Sequence, residues 1–219
     1  MPPVFSKNQY AYDEIKRRIL TDDLAAGSVV SQERIAAELG ISTTPVREAL
    51  KRLASEGLVR LDTHRDARVT ALSPEEARSL YEVRQAVDPL AAALAAERRT
   101  DDDLAEIGRT LAALDPITAA GDLDALAAHR AFHRAVYRAS HNEPLVEVLE
   151  GLWDKADRYR QVGLRAQADS EEDVARVRAE HQALADAVVA GDTARAEQVM
   201  RDHVAHSLGR RAIAALETA

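Results

Sequence analysis

Apolar residues recur at three- and four-residue intervals along most of the chain, the period of a helix with one buried face. From Tyr10 to about Leu20, Ala11, Ile15, Ile19 and Leu20 fall on one stripe, which Leu24-Ala25-Ala26-Gly27-Ser28 then ends. Ser31 can cap a second helix with Ile35, Ala36 and Leu39 inward, and Gly40 stops it. Ser42 stands where it can cap a third, running to about Ser55, with Pro45 in its first turn and Val46, Ala49, Leu50 and Leu53 inward. After Gly57, residues 58–61 and 67–70 read as two short strands around the polar turn 62–66. Three helices and a small hairpin describe a winged helix-turn-helix.

The pattern changes after residue 72. Ser73-Pro74-Glu75-Glu76 is a helix start: Ser73 as N-cap, Pro74 at the first helical position, Glu76 reaching back to complete a capping box. A domain boundary is expected just before it, giving units 1–72 and 73–219. Beyond it the helical period persists, with helices expected at about 74–98, 102–119, 122–139, 143–166, 170–190 and 193–216. Gly121-Asp122, His141-Asn142-Glu143-Pro144 and Gly191-Asp192 separate them. The expected fold class is mainly α: the winged helix-turn-helix followed by an all-helical bundle of about six helices.

Composition narrows the function. The 219 residues are 46% hydrophobic and 30% charged, the make-up of one or two soluble domains. The absence of Cys excludes disulfides, thiolate metal sites and a cysteine nucleophile. No run of about 18 apolar residues is present, so no membrane span is expected. The N-terminus lacks the basic-then-apolar layout of a signal peptide, which implies a cytoplasmic protein. Charge is uneven: residues 1–72 carry 11 Lys+Arg against 10 Asp+Glu, and residues 73–219 carry 18 against 27. Histidine is skewed too, with His64 in the first unit and six in the second.

The third helix puts Thr43, Arg47 and Lys51 on the face opposite its apolar stripe. An apolar back and a basic front suit a helix lying in the major groove, where Arg47 can donate two hydrogen bonds to a guanine. Thr43 and Thr44 can reach bases or phosphates, Arg34 can hold a phosphate, and His64 and Arg65 stand at the wing tip. Singly, each is readable as a solvated charge; the ordered set of helix, Gly turn, basic helix and basic wing favours DNA binding.

The stretch SQERIAAELGISTTPVREALKRLASEGLV resembles the GntR family signature, above all in Thr44-Pro45-Val46-Arg47-Glu48-Ala49-Leu50, Leu53 and Glu56-Gly57-Leu58-Val59. The resemblance implies a bacterial transcription regulator that binds operator DNA as a homodimer. Its DNA-contacting positions map onto Arg34, Thr43, Thr44, Arg47, His64 and Arg65. Position 43 is Thr where Arg is common, and Asp66 stands where the wing usually has Gly.

In the second unit, His129 and His133 lie four residues apart, a natural chelating pair on one helix face. His181 shares a face with Leu184 and Val188, and His203 and His206 share one with Ala196 and Val199. Each alone is readable as a satisfied core histidine. Several together in an Ala/Leu-rich bundle call for something that binds them, and neutral imidazoles suit a first-row divalent metal. Residues 73–219 are similar to the FCD effector domain of FadR-type GntR regulators, in Phe132-His133, Glu180-His181, Gly191-Asp192, Ala196, Met200 and His203. That resemblance implies a metal site at His129, His133, His181 and His203, holding Zn or else Ni, Co or Mn. Metal-binding members carry Asp where His129 stands, so the set here is neutral and favours an anionic ligand. His206 is expected to face inward as a supporting partner, and His141 to be exposed at a helix boundary.

Arg84 has two roles open to it. The family pattern directs an Arg here toward the effector, where it can clamp a carboxylate. Asp88, four residues on, can instead hold it in a salt bridge. The leading reading is a regulator whose metal orients a small organic acid, whose binding changes the spacing of two DNA-reading heads. A regulator with a metal-independent effector site is the alternative. A metal-dependent hydrolase is more remote, since no HExxH, Ser/His/Asp set or Gly-rich phosphate loop is present.

Overall fold

A computed structural model describes residues 6–62, 66–115, 117–207 and 209–218. Its contacts divide the chain into two compact units, Met1–Leu72 and Ser73–Ala219. The described part is mostly helical, with a single three-stranded sheet in the first unit.

In the first unit, helix α1 spans Lys7–Thr21, with the Ser6 side chain accepting from the Gln9 N–H. α2 (Gln32–Leu39) is capped by Ser31 and ended by Gly40 in the left-handed region at φ 65°. α3 (Thr43–Ser55) begins after Ser42, whose side chain makes no cap hydrogen bond. Strands β2 (Val59–Leu61) and β3 (Ala67–Val69) form the expected hairpin. A further strand, β1 (Val29–Val30), pairs antiparallel with β3 and gives the order β1-β3-β2. Two residues are too few to show an alternation, and their partner lies far along the chain, so β1 left no periodic signal. Ile15, Ile35, Leu50, Leu53 and Leu58 meet in one core beneath the sheet and helices.

The second unit is helical throughout its described residues. α4 (Pro74–Arg98) starts at Ser73, whose hydroxyl accepts from the Glu76 N–H. Glu76 does not return the bond: its carboxylate takes the Tyr159 hydroxyl at 2.7 Å and the Lys155 ammonium at 2.8 Å, so the expected capping box is only half formed. Two full capping boxes form elsewhere, Thr100 with Asp103 and Ser170 with Asp173. α4 continues through Pro89, which has no N–H for the Gln85 carbonyl; Arg201 approaches that oxygen at 3.5 Å. Ala91, Ala92, Ala95 and Ala96 are fully buried and let neighbouring helices approach closely.

α5 (Asp101–Ala112) is shorter than the expected 102–119, since Pro116 in the sequence disfavours helix before it. α6 (Leu123–Arg138), α7 (Glu143–Ala166) and α8 (Glu171–Ala190) lie close to expectation, capped by Asp122, Asn142 and Ser170. The expected helix 193–216 is two: α9 (Thr193–Ala205) and α10 (Gly209–Glu217). The His206 N–H closes onto Asp202 and Val204, and neither Ser207 nor Gly209 favours helix, so the break has a local cause. α8 ends at Gly191 with φ 71°, where the Arg99 guanidinium lies against the glycine and donates to the Val189 carbonyl.

Candidate functional site

The first unit presents one polar helix face. Pro45, Val46, Ala49, Leu50 and Leu53 are buried, which leaves Thr43, Thr44, Arg47 and Lys51 of α3 exposed. The N-terminus of α3 supplies free N–H groups and the positive end of the helix dipole, a favourable place for phosphate. Glu48 lies beside both cations, 3.9 Å from Arg47 and 3.0 Å from Lys51. Arg34 is exposed on α2, 3.7 Å from Glu38. These surface pairs are weak and easily exchanged for phosphates. His64 and Arg65 lie outside the described residues.

In the second unit, α6 contributes His129 and His133, α8 His181 and α9 His203. All four are buried, and one ring nitrogen from each lies within 4.8 Å of the others. His133 Nε2 and His181 Nε2 face each other at 3.2 Å. Phe132 and Trp153 pack against the imidazoles, with ring centroids 5.2–5.6 Å apart. The Nδ1 atoms of His129 and His133 are buried without a hydrogen-bond partner. Buried orphan nitrogens cost stability unless something takes their lone pairs.

Burial pushes His129, His133 and His181 well below the ordinary histidine range. The Arg160 guanidinium then adds to the shift at His129, as the neighbouring imidazoles do at His133 and His181. Neutral imidazoles are the form that binds metal. Four converging imidazoles therefore fit a divalent metal by donor type, and two of them, His129 and His133, keep an unpaired nitrogen.

Glu180 was not singled out as a site residue from the sequence. It accepts from His203 Nδ1 at 2.8 Å, from His206 Nδ1 at 3.2 Å and from Arg176 Nη1 at 3.1 Å. Burial pushes its carboxyl up, but the bonds from His203, His206 and Arg176 outweigh this and hold it at about 2. His206 differs from expectation: it is exposed at the end of α9, where it bonds Glu180 and lines the adjoining cavity. His141 is exposed, as expected, and pairs with Asp103 at 2.8 Å.

A cavity of about 270 Å³ opens beside the histidines. His129, His181, His203 and Arg160 line it, with Leu111 and Val177 among its apolar walls. Arg84 is not among the lining residues. It takes the second of its two roles, a buried ion pair with Asp88 at 2.6 Å, and Tyr137 donates to the same carboxylate at 2.9 Å. Arg160 on α7 lines the cavity together with Arg176, Arg178 and Arg211; it is buried and anchored to Asp157 at 2.9 Å. One arginine among many on a helix carries no sequence signal for this role; only the packing of α7 against the histidine helices selects it.

The FCD domain family matches residues 79–206, and the bacterial regulatory proteins of the gntR family match residues 7–69. Over 197 residues the chain is 29% identical to the HTH-type transcriptional repressor GlaR of Escherichia coli K12, spanning 85% of this chain and 90% of that one. Over 193 residues it is 31% identical to the HTH-type transcriptional regulator LutR of Bacillus subtilis 168, spanning 80% of this chain and 86% of LutR. The chain belongs to the GntR family of bacterial regulatory proteins. Its fold is that of the solved Escherichia coli McbR/YncC, at a TM-score of 0.76 and 24% identity over 98% of this chain and 99% of that one. The regulator is accordingly a DNA-binding transcription regulator with an FCD domain, and the hydrolase alternative is dropped because its relatives are regulators. No helix among the described residues is long and apolar enough to cross a membrane.

Proposed function

We propose that the regulator is a cytoplasmic, metabolite-responsive homodimer whose FCD domain holds one divalent metal per chain. His129, His133, His181 and His203 would be the ligands, with Zn the preferred ion and Ni, Co or Mn the alternatives. The observation that carries this reading is the convergence of four buried imidazoles, two of them with orphan nitrogens, beside a cavity. When bound, the ion supplies a positive charge that attracts an anion to its remaining coordination positions.

The four histidines would hold the ion that attracts a small carboxylate, and Arg160, which lines the same cavity as His129, His181 and His203, would supply a further cation to pair with it. Arg160 replaces Arg84 in this role because Arg160 lines the cavity and Arg84 does not. At the other end of the chain, Arg34, Thr43, Thr44 and Arg47, with His64 and Arg65 of the wing, would contact the operator. One recognition helix reads a short half-site, so a symmetric dimer on a palindromic site follows. Effector binding would shift the affinity for that site.

The test is calorimetry of a panel of small organic acids against metal-loaded and chelator-treated protein. Binding that requires the metal and fails in Arg160→Met supports the reading. Equal affinity after metal removal would leave the ion a structural role and favour a metal-independent effector site.

A further inference from the structure

Within the histidine cluster the four ligands are not equivalent. His129 and His133 leave Nδ1 unpaired, whereas His203 has its Nδ1 against the Glu180 carboxylate at 2.8 Å. An ionised carboxylate can only accept, so the proton on His203 resides at Nδ1 and the lone pair at Nε2. That bond ties the Nδ1 edge of the ring to α8 and leaves Nε2 as the nitrogen free to serve the cluster.

Glu180 is itself held. Arg176, one turn earlier on α8, donates to Oε1 at 3.1 Å, and His206 at the end of α9 lies 3.2 Å from the same oxygen. The carboxylate thus sits in a fixed place between two helices, immediately before the ligand His181 in sequence.

We infer that Glu180 is the positioning residue of the metal site: it selects the His203 tautomer, aims Nε2 into the cluster and supplies the negative charge that four imidazoles lack. This rests on the metal reading above. A carboxylate behind a ligating imidazole makes the nitrogen at the far side of the ring a stronger donor, and removing such a partner weakens metal affinity about 10- to 100-fold. The charge matters here because none of the four converging side chains is anionic.

The experiment uses full-length protein with Co(II) as the probe, measuring affinity by competition with a chelating dye and the ligand field by visible absorption. Glu180→Gln keeps the side-chain size and loses the charge. It is expected to bind Co(II) about 10- to 100-fold more weakly, with an altered spectrum, while Glu180→Asp recovers part of the affinity. Metal-free Glu180→Gln is expected to unfold close to the metal-free native protein. Affinity and spectrum matching the native protein would overturn the inference and leave Glu180 as a tie between α8 and α9.

A second measurement needs neither a variant nor a metal. Nitrogen-detected NMR of the histidine rings in the metal-free native protein should show His203 protonated at Nδ1, and a proton at Nε2 would overturn the assignment. Native protein that takes up no Co(II) while His203 is protonated at Nδ1 would refute the metal reading itself, and the positioning role with it.

Discussion

Arg47 is exposed on the recognition face of α3, and its only close acid is Glu48 at 3.9 Å among the ion pairs of the described residues. Its guanidinium fork matches the acceptor edge of guanine, and such a contact contributes about 1–3 kcal/mol of base discrimination, roughly 5- to 150-fold. Arg47→Ala should therefore abolish the preference for operator over scrambled DNA while the fold persists. Titrations on both DNAs check this; equal loss on both would reduce Arg47 to a phosphate contact. A second prediction at this scale concerns pH. His129, His133 and His181 have folded pKa values pushed below the ordinary 6.5, first by burial. Between the folded and unfolded values the unfolded chain binds more protons, so stability falls as pH drops below about 6.5, by up to about 1.4 kcal/mol per pH unit for each histidine. Urea unfolding of chelator-treated protein at pH 7.5 and 5.5 should show the loss. A flat response would mean the imidazoles are not buried as described. Residue types and spacing made these side chains legible in the sequence: an i, i+4 histidine pair on a helix with an apolar stripe, and basic residues opposite one on α3. Arg160 was not legible, and Glu180 only as a motif residue without a role, because one arginine and one glutamate among 29 basic and 37 acidic residues acquire roles only from the helices packed around them.

At the scale of elements, the caps carry much of the order. Ser31, Asp122, Asn142 and Ser170 sit where a side-chain oxygen meets the first free N–H groups, and the helices begin there. Such residues are readable from sequence because their chemistry is local. Non-local partners are not. Glu76 was drawn from Ser73 to Tyr159 and Lys155, residues more than two helices away in the chain, and β1 exists only because β3 offers its edge. Gly191 gives a direct test of one helix end. It ends α8 at φ 71°, and a Cβ there would lie 2.5 Å from Arg99 Nη2. Gly191→Ala should cost about 1–2 kcal/mol for the left-handed backbone alone, with Arg99 also displaced. Urea unfolding measures it, and an unchanged midpoint would show that the turn between α8 and α9 does not depend on glycine.

For the whole molecule, the two units have separate chemistry: a basic recognition face in one, and a buried histidine cluster beside a cavity in the other. Light scattering of the free and DNA-bound protein should give twice the 23.9 kDa chain mass, and a monomer saturating a full operator would contradict the dimer. The claim on which effector sensing depends is the metal, and elemental analysis of the purified native protein beside His133→Ala tests it most directly. A bound ion stabilises the folded state by linkage, so metal content and thermal midpoint should fall together in the variant. The account predicts one divalent ion per native chain and far less in His133→Ala; native protein that is metal-free and cannot be loaded with Zn, Ni, Co or Mn would contradict it.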